Sequence, residues 1–209
     1  MPQLNSNQLW DRFKKYYFEF QSINLGLDIS RMKFGDEFIE EFRPNLKKAF
    51  QAMDSLEAGG IANPDENRMV GHYWLRNSKL APTSEIRNSI DAAIKTIEVF
   101  SSEVHDGIIK GEGGRFEHLL VVGIGGSALG PQFVSKALSQ PNEDKLKAWF
   151  IDNTDPDGID QIKCKLADLL GNTLVIVISK SGGTKETRNG MLEMQAAYKS
   201  EGLDFAKHA

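Results

Sequence analysis

The chain has 209 residues, 40% of them hydrophobic and 26% charged, a length for one or two domains and a composition that argues against wholesale disorder. Lys and Arg number 25 against 29 Asp and Glu, a net charge of −4. That balance disfavours a non-specific nucleic-acid binder, which needs a basic excess, but it leaves room for a local basic pocket that takes a small anion.

The N-terminus, Met1 to Trp10, lacks the apolar stretch of a signal peptide, and no apolar run reaches the roughly 18 residues of a membrane span. The expectation is a reduced, cytoplasmic protein that contacts no membrane. From Asn5 to about Lys110 the spacing predicts helices. Trp10, Phe13, Tyr17, Phe20 and Gln21 recur every three to four residues, as do Phe38, Phe42, Leu46, Ala49, Phe50 and Met53. Pro44 falls in a first turn or at a kink of this second segment, and Gly59-Gly60 ends it. Asn63-Pro64-Asp65-Glu66 reads as a turn opening a further helix, with Pro64 at its first position. Pro82-Thr83-Ser84 opens the next helix, with Ile86, Ile90, Ala93, Ile94, Ile97 and Phe100 along one face. Gly111 to Gly114 reads as a flexible stop.

The rhythm then changes. His118–Ile124, rich in Val and Leu, Leu146–Ile151 and the β-branched Thr173–Ile178 are short apolar runs, the mark of strands buried on both faces of a parallel sheet. Amphipathic segments Pro131–Ser139, Gly158–Leu170 and Thr184 to about Ser200 lie between and after them. Cys164, the single cysteine, falls in the second of these as a small, half-buried residue and excludes an internal disulfide framework and a cysteine-rich zinc site. The alternation implies an α/β fold: a helical N-terminal segment, 1–114, then part of a doubly wound parallel sheet, 115–209. Three strands leave an exposed sheet edge, so the sequence is expected to be the front part of a longer protein.

Two loops carry the chemistry. In Val121 to Gly130 a strand runs into a turn rich in glycine, with Gly123, Gly125 and Gly126, and then into a helix, and Ser127 adds a hydroxyl donor. Glycines let backbone N–H groups converge on an anion, and the helix adds its positive end. Gly123-x-Gly125-x-x-Ala128, with Asp152 ending the next strand, also fits a dinucleotide fingerprint loosely, so a nucleotide-dependent oxidoreductase is a rival reading. In Ser179 to Thr187 hydroxyls and two glycines crowd a second strand-to-helix turn. Hydroxyl and amide donors suit a dianion, whereas the Walker spacing is absent. Thr184 alone could be an N-cap, Lys185 reads as a solvated charge, and Lys180 fits either role. With strand order 2-1-3, both loops open at one crevice, which suits a phosphomonoester better than a pyrophosphate.

Residues 122–131 (Val-Gly-Ile-Gly-Gly-Ser-Ala-Leu-Gly-Pro) and 179–187 (Ser-Lys-Ser-Gly-Gly-Thr-Lys-Glu-Thr) resemble the two phosphate-loop signatures of the glucose-6-phosphate isomerase (phosphoglucose isomerase) family. Asn67-Arg68 through Leu75-Arg76-Asn77 resembles that family's helical lead-in. The resemblance implies a sugar isomerase domain in which Gly126 and Ser127 touch the phosphate side of the sugar. Ser179, Ser181, Thr184 and Thr187 would hold the phosphate. It implies interconversion of glucose 6-phosphate and fructose 6-phosphate through an enediol, no metal or nucleotide cofactor, and a homodimer when complete. The family's proton-transferring Glu, ring-opening His, stabilising Arg and late Lys fall after the second loop. No catalytic residue is therefore assigned, and the chain is expected to be inactive alone. Glu186 reads as a first-turn helix residue, His208 as an exposed terminal residue, and His72, His105 and His118 show no metal spacing. A sugar-phosphate-sensing module without turnover is the alternative from another class, although its expected basic DNA-binding companion is not evident in residues 1–110.

Overall fold

Short apolar runs with β-branched or aromatic residues extend because such side chains crowd a helical turn and pack well on a pleated surface. In the computed structural model, which describes residues 4–35 and 37–209, the three such runs pair as one parallel sheet. The elements in chain order are α1 (Ser6–Tyr16), β1 (Tyr17–Phe20), β2 (Leu25–Asp28), α2 (Phe38–Glu57), β3 (Ile61–Asn63), β4 (Arg68–Met69) and α3 (Ser84–Asp106). There follow β5 (Lys110–Gly111), β6 (Gly114–Arg115), β7 (His118–Val122), α4 (Gly126–Leu138), β8 (Lys147–Ile151), α5 (Pro156–Leu166), β9 (Thr173–Val177) and α6 (Lys185–Ser200). Contacts group them into two compact units split between Asn88 and Ser89. No helix among the described residues is long and apolar enough to cross a membrane.

In the first unit, the expected run of helices is interrupted twice. α1 begins at a capping box in which Asn5 and Gln8 exchange side-chain bonds with each other's backbone N–H. It stops at Tyr17, where the backbone turns extended and pairs β1 with β2 in an antiparallel hairpin. Tyr17 and Phe20 therefore continue the helical rhythm of α1 in sequence but lie on a strand. Asn24 takes φ 50° after the single 3-10 turn that reverses the chain, a conformation Asn tolerates. The helix expected to open at Pro64 does not form. Residues 64–67 are instead the turn of the small β3–β4 hairpin, and 72–76, within the stretch likened to a helical lead-in, are turns. Trp74 is buried there and donates its indole N–H to the Glu57 carbonyl at 2.8 Å. Pro44 lies inside α2, which ends at Glu57, and Gly59 follows it at φ +94°.

In the second unit the sheet order is β8-β7-β9, with His118, Leu120 and Val122 in register with Lys147, Trp149 and Ile151 on one side and Thr173, Val175 and Val177 on the other. This is the expected 2-1-3 arrangement. Leu120, Val122, Ile151 and Val175 form one core with Ile159 and Leu166 of α5 and with Met194 and Tyr198 of α6. Leu174 joins Val104 and Phe116 in a second, smaller cluster. Apolar burial of this kind contributes roughly 25 cal/mol per Å2.

Three local expectations need correction. Gly111 to Gly114 is an ordered hairpin, β5–β6, whose Gly113 N–H donates to the Gly171 carbonyl at 2.9 Å. Cys164 is exposed on α5 rather than half-buried. His208 is fully buried: its Nδ1 lies 3.1 Å from the Thr173 carbonyl, and its Nε2 accepts the Glu112 N–H at 3.3 Å. A carbonyl oxygen can only accept, so Nδ1 donates to Thr173, and the Glu112 carboxylate lies 3.8 Å from Nε2. Phe116 and Tyr198 pack against its ring.

Candidate functional site

The central strand β7 and its neighbour β9 deliver the two loops to one edge of the sheet. Ile178 N–H donates to the Val122 carbonyl at 2.9 Å, and Gly123 N–H to the Ile151 carbonyl at 3.0 Å, so both loops leave from paired backbone. A Cβ on Gly123 would stand 3.0 Å from Ser127 Cβ and 3.3 Å from the Ile178 carbonyl oxygen. Glycine is what allows the two strand ends to approach so closely.

The first loop is short. Gly125 adopts φ +56° at the N-cap of α4, and the helix starts at Gly126. Pro131, a common first-turn residue at which this amphipathic segment is expected to begin, lies inside the helix. Added Cβ atoms at Gly125 and Gly126 would meet nothing within 4 Å, so open space faces the start of α4. Gly126 is exposed and Ser127 half-buried at this end.

The second loop gathers its hydroxyls. Ser179 Oγ lies 3.0 Å and Ser181 Oγ 3.4 Å from Thr184 Oγ1. Gly182 N–H donates to Ser179 Oγ at 3.1 Å and Gly183 N–H to Ser181 Oγ at 3.2 Å. Gly182 makes the bend at φ +70°. Thr184 occupies the N-cap position of α6, yet its side chain makes no capping bond, because its hydroxyl is engaged with the two serines. Three of the four expected loop hydroxyls are thus joined. Thr187 stands apart on the first turn of α6, buried, with no partner for its Oγ1 among the described residues. A buried hydroxyl without a partner costs about 1–3 kcal/mol.

Two helix N-termini, those of α4 and α6, open where the paired strands β7 and β9 end, and each favours negative charge. Lys180, Lys185 and Glu186 are exposed beside them. Among the described residues no cluster of His, Cys, Asp or Glu suits a metal ion. Asp152, the acidic residue of the dinucleotide-like pattern, sits just past the end of β8 and accepts from Gln132 Nε2 at 2.7 Å. Sequence reasoning passed over Gln132. It also passed over Gly190, where α6 packs directly on Val122 and Ile151. An isolated glycine within a helical pattern was the signal available for the latter.

Residues 28–208 match the model of the family described as phosphoglucose isomerase. Over 207 residues the chain is 51% identical to a glucose-6-phosphate isomerase of Geobacter sp. (strain M21) and 53% identical to one of Acaryochloris marina (strain MBIC 11017). Each of those matches takes in 99% of this chain but 39% of the relative's length, so the chain spans well under half of the curated relatives it matches. Among solved structures, a glucose-6-phosphate isomerase from Chlamydia trachomatis D/UW-3/Cx aligns with a TM-score of 0.78 and 23% identity. The alignment covers 97% of this chain and 40% of that one, a likeness of fold.

Proposed function

The chain belongs to the phosphoglucose isomerase family, and from that premise we propose that it forms the phosphate-binding part of an enzyme interconverting glucose 6-phosphate and fructose 6-phosphate. The observation that carries this reading is the meeting of the Ser179, Ser181 and Thr184 hydroxyls, 3.0–3.4 Å apart, on a loop whose strand pairs with the strand leading to Gly126 and Ser127. In this reading the phosphate exchanges the hydroxyl–hydroxyl contacts for charge-assisted ones, which are about twice as strong as neutral bonds. Thr187 supplies a further donor from beneath, Gly126 lets the phosphate oxygens come close to backbone, and Ser127 adds a hydroxyl on the other side. Residues 115–209 are the binding domain, 1–114 its lead-in, and the complete enzyme is a cytoplasmic homodimer.

Isomerisation moves a proton between C1 and C2. A base removes it from C2 while the C1 carbonyl oxygen takes up a proton to give the enediol; the base then returns its proton to C1 as the C2 hydroxyl gives up its own, so atoms and charge balance without a redox partner. The base must stand within about 3 Å of that proton. Phosphate contacts hold C6, at the opposite end of the sugar, and position the substrate without moving the proton. Glu186, exposed on the first turn of α6, lies beside the phosphate end and is not assigned as the base.

The test is the pair Ser179→Ala and Thr184→Ala in the full-length enzyme carrying this chain. Loss of two charge-assisted bonds predicts a decrease of about 3–5 kcal/mol in sugar-phosphate binding, allowing for non-additivity. Calorimetry with fructose 6-phosphate measures it, with circular dichroism as the check on folding. Unchanged affinity in a folded variant excludes the assignment.

A further inference from the structure

Asp152 sits just past the carboxyl end of β8 and is bonded through both carboxylate oxygens. Oδ2 accepts from Gln132 Nε2 at 2.7 Å, and Oδ1 accepts from Asn153 Nδ2 at 2.9 Å. The series continues. Asn153 Oδ1 accepts the Asp155 N–H at 2.7 Å, and Asp155 Oδ2 accepts the Gly158 N–H at 2.9 Å as the N-cap of α5. One line of hydrogen bonds therefore runs from the middle of α4, across the end of β8, into the first turn of α5.

α4 has few other anchors of its own. Ala128 is its one fully buried residue, whereas Leu129, Phe133, Val134 and Leu138 are exposed. Gln132 lies within about two turns of Gly126 and Ser127. A bond to a carboxylate is stronger and more directional than one between neutral groups, so this tie helps to set the axis of α4. That axis aims the Gly126 N–H and the Ser127 hydroxyl.

We propose that Gln132 and Asp152 are positioning residues of the anion site, a brace that keeps the first loop aligned with the second. This inference rests on the proposed phosphate site and deepens it. It gives Asp152 a role toward α4, in place of the ribose contact that a dinucleotide pattern would assign to it. Because the phosphate is held alike in the ground and transition states, a misaligned brace weakens uniform binding. It raises KM and leaves kcat in place.

The experiment uses the full-length enzyme carrying this chain. Gln132→Leu is expected to raise both KM for fructose 6-phosphate and Kd for inorganic phosphate by about tenfold, with kcat within about twofold. Gln132→Lys keeps a cationic donor within reach of Asp152 and is expected to hold KM near the parent value. Three results overturn the brace: an unchanged KM in Gln132→Leu, a fall in kcat and Tm with KM unchanged, or a Gln132→Lys variant as impaired as Gln132→Leu. The Ser179→Ala, Thr184→Ala variant, run alongside with inorganic phosphate, separates the two proposals. If it loses phosphate binding while Gln132→Leu does not, the brace alone is wrong. If it binds phosphate normally, the site itself is wrong and the brace falls with it.

Discussion

At Gly190 an added methyl would stand 2.9 Å from Val122 Cγ1 and 3.1 Å from Ile151 Cγ2. Both neighbours are buried and β-branched, with little freedom to turn aside. Alanine would improve helix propensity by about 1 kcal/mol, but overpacking in a filled core costs about 1–3 kcal/mol. Overpacking is expected to win, so Gly190→Ala should lower stability by up to about 2 kcal/mol, read as an earlier urea midpoint with an unchanged slope. At this scale the sequence is least legible where a residue's neighbours lie far along the chain. His208 looks terminal and exposed, yet its partners Glu112 and Thr173 come from other elements, and no local pattern announces them. Thr184 is the converse case. Its position at the start of α6 was readable, whereas the engagement of its hydroxyl by Ser179 and Ser181, rather than by the helix backbone, depends on the bend at Gly182.

Among the elements, β7, β8 and β9 were legible to within two residues at each end because their apolar runs are short and bounded by turn residues. The β1–β2 hairpin was not. Its aromatic residues continue the three-to-four spacing of α1, so the alternation of Phe18 and Phe20 opposite Leu27 and Leu25 was masked by the preceding helix. The turn around Asn24 was the overlooked signal. The three glycines of the β5–β6 hairpin suggest a flexible stop, yet the hairpin is clamped. Glu112 accepts the Asp204 N–H at 2.7 Å and Lys207 Nζ at 2.6 Å. The bond from Lys207, ahead of the Asp204 N–H, holds the Glu112 carboxyl below its ordinary value of 4.5. A carboxyl depressed in the folded state adds stability above its unfolded pKa and loses it as pH falls through the folded one. The stability gap between the parent chain and Glu112→Gln is therefore expected to be full near neutrality and to close below pH 4.5, followed by urea unfolding across that range. A gap that persists in acid would assign the clamp to packing rather than to the ion pair.

For the molecule as a whole, the two loops bring hydroxyls, amides and lysines to the site, and no carboxylate or imidazole has been assigned as the base. We expect this 209-residue chain, purified alone, to show no turnover above background in a coupled fructose 6-phosphate assay. Turnover that disappears in Glu186→Gln would move the base to Glu186 and overturn that expectation. The sheet order has a further consequence, for folding in time. β7 lies at the centre of the three strands, but its partner β9 is made after β8 and two intervening helices. Pairing between segments so distant in sequence is slow, because a long loop must close before any contact repays it. During synthesis the first glycine loop emerges long before the hydroxyl loop that faces it. The proposed anion pocket therefore forms after that long-range pairing, and on the proposed function sugar phosphate present during refolding should capture the paired loops rather than guide the early steps.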